Sequence, residues 1–310
     1  SAGSRNIHCK PGSSARTSGI VPGTEPRPGA YLRSVPSTYT VPVSVVIPCF
    51  CAAATLARAV TSVVCQTTRP CEIVIVDDAS SDNTVATACA LQEEFGGTWI
   101  HVVQLPENRG PAAARNQGWN AVRGDYVAFL DADDAWHPRK IELQYRHLRE
   151  HPEVALCGHR ARRVRAAEEE PLTAVSPGVT PVTPLSLLLG NRFVTPSAML
   201  RRELPFRFAE DRRYMEDHLL WLQIACSGHR VDRLDAELAF LYKAPFGDRG
   251  LSAALWRMEF AELDNYRRLH RAGRITAPVT LALWAWSLVK FARRLIYTAI
   301  PALGERLEPR

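Results

Sequence analysis

The feature that most constrains the fold is a repeated alternation of short β-branched runs with helical stretches between residues 43 and 130. The first run covers 43–47, ends at Pro48 and precedes a helical pattern over about 53–66. Further strands are predicted over 72–77, 99–105 and 126–130, alternating with helices over 83–95 and 112–122. Strands joined by helices of this length form right-handed crossovers and mostly parallel sheets with helices on both faces. We therefore predict an α/β fold whose ligands bind beyond the carboxyl ends of the central strands.

The rest of the chain divides into a polar beginning and a helical end. Residues 1–40 are rich in Ser, Gly, Pro and Arg without apolar periodicity, which predicts a disordered leader before an α/β domain over 41–250. Within that domain a helix is expected to end near 150, and a strand over 154–157 is expected before an irregular insertion over 160–184. A helix over 216–226 and a strand over 238–242 follow. Residues 251–310 are predicted to form a helical extension, with a strongly apolar segment near 278–300.

Charge and cysteine content narrow the class of protein. The net charge is +6, and the basic residues form no continuous stripe beside aromatic residues, which argues against a nucleic-acid partner. The eight cysteines include no C-x-x-C pair and lie mostly in apolar runs, a pattern typical of reduced thiols in a cytoplasmic protein. The first residues lack the order of a signal peptide, so export is not expected.

An acidic motif follows the apolar strand predicted over 126–130. Asp131, Asp133 and Asp134 place three carboxylates within four residues, which repel one another unless a cation or solvent neutralises them. Hard oxygen ligands at the mouth of a sheet suit Mg²⁺ or Mn²⁺ shared with a diphosphate. The alternative is a solvated acidic turn.

Two further motifs lie at the ends of the predicted elements. Asp78 follows the second strand, where a carboxylate can bond a nucleoside, whereas the nearby Asp82 is better interpreted as a cap of the next helix. Arg115 lies in the helix after the loop 108–110, and it is suited either to phosphate charge or to pairing with the acidic strand ends.

Glu216 and Asp217 open a later apolar helix. Carboxylates in a first helical turn commonly serve the helix dipole, but beside a nucleotide site Asp217 is a candidate general base.

Taken together and in this order, these motifs resemble family 2 of inverting glycosyltransferases, whose catalytic domain has the GT-A fold. The matching stretches lie within about 42–245 and include 43–48, 76–84, 108–116, 129–134 and 216–217. Several spaced motifs in the same order are more specific than any one of them. Cys51 and Ala79 depart from the pattern, since the family commonly has Asn and Gly at these positions, and Lys243 lies near the position of a frequent Arg.

The resemblance implies an enzyme that moves a sugar from a nucleoside diphosphate donor, expected to be UDP-linked, to an acceptor hydroxyl. By position, Pro48 and Phe50 would contact the donor, with Phe50 stacked on the base. Asp78 would bond the base, and Asp131 would touch ribose or metal. Asp133 would then hold Mn²⁺ or Mg²⁺ on the diphosphate, and Asp217 would be the catalytic base. The acceptor would be a saccharide or a lipid-linked saccharide for a cell-surface polysaccharide or glycolipid, with the enzyme in the cytoplasm or at the inner face of the membrane.

Two other functions fit parts of the pattern. A sugar nucleotidyltransferase shares the nucleotide-binding plan, but it would carry a Gly-rich basic loop after the first strand, unlike 48–51. A catalytically silent carbohydrate-binding protein on the same fold is a second alternative, which the presence of Asp133 and Asp217 disfavours.

The apolar segment 279–300 has the length of a membrane span, but Lys290, Arg293 and Arg294 would be costly at membrane depth. On a helix these cations share one side, beside Trp284, Trp286 and Leu288. The pattern suits either peripheral contact with an anionic membrane or packing against the rest of the protein.

Overall fold

The computed structural model describes residues 5–7, 39–164, 177–242 and 255–299 of the 310. The strands are β1 (Arg5–Ile7), β2 (Thr40–Cys49), β3 (Arg69–Asp77), β4 (Ile100–Gln104), β5 (Tyr126–Phe129), β6 (Ala135–Trp136), β7 (Val154–Arg163), β8 (Val179–Pro181), β9 (Met199–Arg201) and β10 (Arg230–Leu241). The helices are α1 (Leu56–Val64), α2 (Thr84–Phe95), α3 (Pro111–Ala121), α4 (Lys140–Glu150), α5 (Pro184–Leu189), α6 (Glu216–Cys226), α7 (Leu255–Arg271) and α8 (Ala277–Ala299), and a 3₁₀ turn covers Thr195–Ser197.

All ten strands belong to one sheet in the order β1-β4-β3-β2-β5-β9-β7-β10-β6, with β8 paired to β10. The four strands from β4 to β5 are parallel, as the alternation of strands and helices predicts. Beyond β5 the sheet is mixed, because β9 runs antiparallel to both β5 and β7 while β7 and β10 are parallel. The predicted α/β class, a central sheet with flanking helices and a helical C-terminal region, is confirmed.

Each face of the sheet carries its own apolar core. Val43, Val45 and Ile47 of β2 pack into the cluster that includes α1, whereas Val46 packs into the cluster that includes α3 and α6. Both sets are fully buried, as expected for a central parallel strand covered on both sides. The carboxyl ends of β2, β3 and β5 consequently meet at one edge, and the polar residues that follow them lie near one another.

Helix α3 packs very closely on β2. A Cβ atom added to Gly118 would overlap Cγ1 of Val46, so only glycine allows this approach. Trp119 is buried beside Gly118 and makes an edge-to-face contact with Phe129, with ring centroids 5.6 Å apart. The first turns of α3, which carry Arg115, are thereby held against the ends of the central strands.

The C-terminal helices pack against each other and against the α5–α6 region. The Tyr266 hydroxyl of α7 donates to the Leu188 carbonyl of α5 at 2.9 Å. Lys290 pairs with Glu262 of α7, and Arg294 lies 3.7 Å from the same carboxylate. Lys290 and Arg294 therefore lie on a side of α8 that packs against α7, in agreement with the packing alternative for these two cations. None of the described helices has both the length and the apolar character needed to cross a membrane.

Several boundaries and assignments differ from the sequence-based expectations. β10 begins at Arg230 and β7 continues to Arg163, because the two strands pair with each other along most of their lengths. Part of the expected irregular insertion 160–184 is thus strand, while 165–176 lie outside the described residues.

The N-terminal residues and the cysteines also differ from the sequence-based expectations. Arg5–Ile7, in the expected leader, pair with β4, and the remaining residues up to 38 lie outside the described ones. Cys89 is disulfide-bonded, so the expectation of eight reduced thiols is wrong there, whereas the six other described cysteines are free. The division of the chain into a leader, a catalytic domain and an extension stays a prediction.

Candidate active site

The acidic motif after β5 forms a compact group of oxygen donors. Carboxylate oxygens of Asp131, Asp133 and Asp134 lie within 4.8 Å of one another. A tight turn holds them, in which the Asp134 amide donates to the Asp131 carbonyl at 3.1 Å. Asp134 is fully buried and accepts the Tyr242 amide at 3.2 Å, whereas Asp131 and Asp133 are half-buried at the surface of the cleft. This donor set fits a hard divalent cation.

Arg115 connects this motif to helix α6. Its guanidinium donates to Asp131 at 2.8 Å through Nη2 and to Glu216 at 2.9 Å through Nη1. Burial lowers the pKa of Arg115, but Asp131 and Glu216 outweigh it and raise the pKa above its ordinary value. Arg115 is therefore a permanent cation in the ion-pair arrangement, one of the two interpretations that the sequence left open.

Asp217 lies next to this bridge, at the first turn of α6. Its Oδ1 accepts the His218 amide at 2.6 Å, and its Oδ2 accepts the Thr195 hydroxyl at 3.3 Å. Burial raises the pKa of Asp217, and the nearby negative charge of Asp131 adds to the rise, while the hydrogen bonds and Arg115 oppose it. A carboxylate with a raised pKa is a stronger proton acceptor than an ordinary one, as a general base requires.

The guanidiniums of Arg115 and Arg58 both lie at the acidic motif. Arg115 pairs with Asp131 and Glu216, whereas Arg58 donates to the Asp133 backbone carbonyl at 2.5 Å and stacks on Tyr242. Arg58 thus holds the backbone of the motif. The three carboxylates of the motif repel one another, and a divalent ion would reduce this repulsion.

Asp78 lies at the opposite side of the cleft, after β3. Its two carboxylate oxygens accept the amides of Arg109 and Gly110, each at 2.8 Å. Burial raises the pKa of Asp78, while these two hydrogen bonds oppose the rise. Asp78 therefore fixes the loop that enters α3, and each of its oxygens retains a lone pair for another donor.

The first strand of the site presents Pro48 and Phe50 at its carboxyl end. The Phe50 ring is 53% exposed, which is unusual for phenylalanine and leaves a flat apolar face toward solvent. The adjacent Cys51 amide donates to the Ser80 hydroxyl at 2.9 Å, so this loop and the loop after β3 form one wall. Asp82 accepts the amides of Thr84 and Ala53, so it ties the start of α2 to the loop after β2, while the N-cap position of α2 is Asn83.

Backbone strain marks the same wall. Cys51 has φ = 49° and Ala79 has φ = 56°, in the left-handed region that glycine and asparagine tolerate better than other residues. Both are positions at which the sequence departs from the family pattern. Gly and Asn adopt this backbone shape at a lower cost than Cys and Ala do.

Sequence reasoning did not identify Thr195 or Arg58 as site residues. Thr195 lies in the 3₁₀ turn before β9 and reaches Asp217 only through the fold, and Arg58 lies in α1, 75 residues before Asp133. Neither lies in a motif with recognisable spacing. No local signal in the sequence could have found them.

Comparisons with known proteins agree with this geometry. The family model described as "Glycosyl transferase family 2" matches residues 44–207, just over half of the chain. The UDP-Glc:alpha-D-GlcNAc-diphosphoundecaprenol beta-1,3-glucosyltransferase WfgD of Escherichia coli is 35% identical over 102 residues, 33% of this chain and 39% of that protein. The matched stretches span only 30% to 42% of the length of the first curated relatives.

Two solved structures share the fold. Residues 1–349 of TarS from S. aureus in complex with UDP-GlcNAc give a TM-score of 0.61 at 18% identity, over 79% of this chain and 71% of that one. The mannosyltransferase PcManGT of Pyrobaculum calidifontis in complex with GDP-Man and Mn²⁺ gives a TM-score of 0.60 at 20% identity, over 88% and 82%. At this identity the likeness shows the fold alone. The family model covers the strands from β2 to β9 and the acidic motif, and it ends before Asp217. Because it matches more than half of the residues, the chain belongs to glycosyl transferase family 2 and carries a glycosyltransferase domain of the GT-A fold.

Proposed function

We propose that this chain transfers a glycosyl group from a nucleoside diphosphate sugar, UDP-linked, to an acceptor hydroxyl with inversion of configuration. The observation that carries the proposal is the position of Asp217. A half-buried carboxylate of raised pKa lies beside an acidic cation site, and Arg115 and Glu216 fix the relation between the two. Asp217 would accept a proton, and the acidic cation site would hold the leaving diphosphate.

The donor would lie along the carboxyl ends of β2, β3 and β5. Phe50 offers an exposed ring for stacking on the base beside Pro48, and Asp78 offers a carboxylate whose position the α3 loop fixes. Asp131 would contact the ribose or the metal. Its bond to Arg115 orients the carboxylate at the cleft.

Asp133 would hold Mn²⁺ or Mg²⁺ against the donor diphosphate, with Asp131 and Asp134 close by. When bound, the ion supplies Lewis-acid stabilisation of the charge that develops on the departing nucleoside diphosphate. PcManGT was solved with GDP-Man and Mn²⁺, which supports this assignment by fold.

Asp217 would remove the proton of the acceptor hydroxyl as that oxygen attacks the anomeric carbon from the side opposite the diphosphate. The bond to the diphosphate breaks as the new glycosidic bond forms, and the proton passes to Asp217. A single displacement inverts the anomeric carbon and needs no nucleophilic side chain. Hydrogen bonds from Thr195 and from the His218 amide would orient the Asp217 carboxylate.

The acceptor proposed is a saccharide carried on a lipid diphosphate, at the cytoplasmic face of a membrane. The name of the E. coli relative specifies a GlcNAc-diphosphoundecaprenol acceptor and a UDP-Glc donor, which supports both choices. The product would belong to a cell-surface polysaccharide or glycolipid.

The test is a screen of nucleotide sugars for Mn²⁺-dependent release of nucleoside diphosphate, with Asp133→Ala as the matched variant. We expect Asp133→Ala to stay folded and to lose Mn²⁺-dependent donor binding, because Asp133 would hold the ion against the diphosphate. Asp235→Ala, which changes a carboxylate paired with Arg233 away from the cleft, is the control and should keep donor binding. Equal donor binding by wild type and Asp133→Ala, with and without chelator, contradicts the metal assignment. A chain that hydrolyses no donor in the screen would instead be a silent carbohydrate-binding protein.

A further inference from the structure

The outer face of α8 is apolar over most of its length. Every exposed residue between 277 and 292 is apolar, and Leu281 and Val289 are each 62% exposed. At 1.5 Å per residue this stretch is about 24 Å long. Its exposed members are Ala277, Pro278, Val279, Leu281, Ala282, Ala285, Trp286, Leu288, Val289 and Ala292.

The apolar surface continues onto the neighbouring helices. Trp286 donates to the Leu189 carbonyl of α5 at 3.2 Å, and Leu185 and Leu189 of α5 are exposed beside this contact. On α7, Trp256 and Phe260 are also exposed, and the Trp256 ring contacts Phe291 of α8 with centroids 4.5 Å apart. We call the exposed apolar residues of 277–292, with Leu185 and Leu189, the apolar face. Continuous exposed surface of this kind marks an interaction site.

The exposed charged side chains of the described part of α7, α8 and the turn between them have one sign. Within 255–295 every exposed charged residue is an arginine. The acids in the same range are withdrawn: Glu259 and Glu262 are buried, and Asp264 pairs with Arg212 and Arg268. The exposed arginines are Arg257, Arg267, Arg271, Arg274 and Arg293.

We propose that the apolar face docks on the surface of an anionic lipid bilayer, with α8 lying along the interface. Exposed Leu, Val and Trp side chains would enter the boundary between headgroups and acyl chains, and the arginines would contact anionic headgroups. A second copy of the chain is a poorer occupant. In a two-fold dimer the same surface meets itself, so arginines would face arginines without the acids to pair them.

A hydrogen bond between α5 and α6 connects the apolar face to the residue that follows the candidate catalytic base. The Leu187 carbonyl of α5 accepts a hydrogen bond from the His218 ring at 2.9 Å, and His218 follows Asp217 directly. Docking through α8 and α5 would therefore connect the membrane surface to the helix that carries the candidate base. The use of this connection rests on the proposed function, in which the acceptor is lipid-linked.

The experiment is co-sedimentation of the purified full chain with vesicles, without any donor. The vesicles are phosphatidylcholine alone or phosphatidylcholine mixed with phosphatidylglycerol. The variant is Leu281→Glu/Val289→Glu, and the matched control is Val179→Glu, which makes the same kind of change at an exposed residue of β8. Circular dichroism and the melting temperature check that each protein is folded.

We expect wild type and Val179→Glu to bind the anionic vesicles, more weakly at high salt and on phosphatidylcholine alone. The double variant should lose affinity by about tenfold or more, because two carboxylates replace side chains that would enter the lipid. Equal binding by the double variant, or no binding by wild type, overturns the proposal. So does a wild-type dimer in analytical ultracentrifugation that the double variant abolishes, which would make the face an interface between copies. Vesicle binding by a chain that hydrolyses no donor would leave the docking intact and refute the proposed function.

Discussion

At the scale of single residues, Arg115 organises the site. A buried guanidinium that bonds Asp131 and Glu216 ties the end of β5 to the start of α6, two points far apart in sequence. The bridge also balances part of the negative charge around Asp217 without removing the rise in its pKa. The Arg115 bridge thus fixes the geometry of the site while Asp217 remains a stronger proton acceptor than an ordinary aspartate.

Asp217→Asn separates a general base from a helix-capping carboxylate. Asn keeps the size and much of the hydrogen bonding but cannot accept the proton, so transfer should fall by about 10² or more while donor affinity stays near normal. The melting temperature should hold or rise slightly, because burial disfavours the charged form that Asn replaces. Near wild-type transfer with a small loss of stability would instead identify Asp217 as a cap.

The pH dependence of transfer follows from the same carboxylate. Because the folded-state pKa of Asp217 is raised, its protonated form persists to higher pH than in an ordinary aspartate, whose pKa is about 3.9. Only the unprotonated form accepts a proton, so transfer should rise with pH along an acid limb above that ordinary value. The pH profile of kcat/KM measures this limb. A limb at or below the ordinary aspartate range would contradict the assignment.

Ala79→Gly should stabilise the protein. The left-handed backbone at Ala79 costs about 1–2 kcal/mol, whereas glycine adds about 0.5–1 kcal/mol of unfolded-state entropy, so a net gain of about 0.5–1 kcal/mol is expected. Ala54→Gly, in the same wall at an ordinary φ, is the control and should lose stability by about the entropy term alone. Urea denaturation of both variants measures the difference. A loss in both would show that residue 79 carries no strain.

At the scale of elements, the sequence predicts the helices and strands whose buried apolar residues recur at regular spacing. The strands and helices from β2 to α3 lie within a few residues of their predicted bounds, because each is a continuous apolar or amphipathic run. β6 and β9 have two and three residues, and only their partners in the sheet make them strands. The acidic motifs were visible in the sequence for the same local reason. Thr195 was not visible, because its contact with Asp217 depends on how the turn before β9 packs.

Gly118→Ala tests the close packing of α3 on β2. Since the new Cβ would overlap Val46, the helix must shift, at a cost of about 1–3 kcal/mol, and Arg115 would move with it. Both stability and transfer should therefore fall. Gly97→Ala is the matched control, because the nearest atom to its new Cβ is 4.0 Å away. Equal stabilities of the two variants in urea would show that α3 accepts a Cβ atom at residue 118 without shifting.

At the scale of the whole molecule, a buried ion pair joins the C-terminal helices to the catalytic part. Glu262 of α7 binds Lys290 of α8. The Tyr266 hydroxyl lies 2.9 Å from both the Glu262 carboxylate and the Leu188 carbonyl of α5, and its single proton is shared between these two acceptors. The carboxylate side chain is 3% exposed, and that of Lys290 is 14% exposed. Helix α5 in turn contacts His218, so the pair supports the helix that carries the base.

Glu262→Gln should destabilise the protein by about 3 kcal/mol, because it removes the carboxylate that pairs directly with Lys290. The double variant Glu262→Gln/Lys290→Met should recover much of this loss, since it removes both charges at similar volume. Burial raises the pKa of Glu262, but Lys290 outweighs it and holds the pKa below the ordinary value. The pair's contribution is therefore complete above the unfolded-state pKa of about 4.3 and is lost as pH falls through the folded-state pKa. Urea denaturation at neutral and acidic pH measures both effects, and the stability difference between wild type and Glu262→Gln should shrink in acid. An equal difference at the two pH values would mean that Glu262 supports the helices through packing and its hydrogen bond to Tyr266, not through its charge.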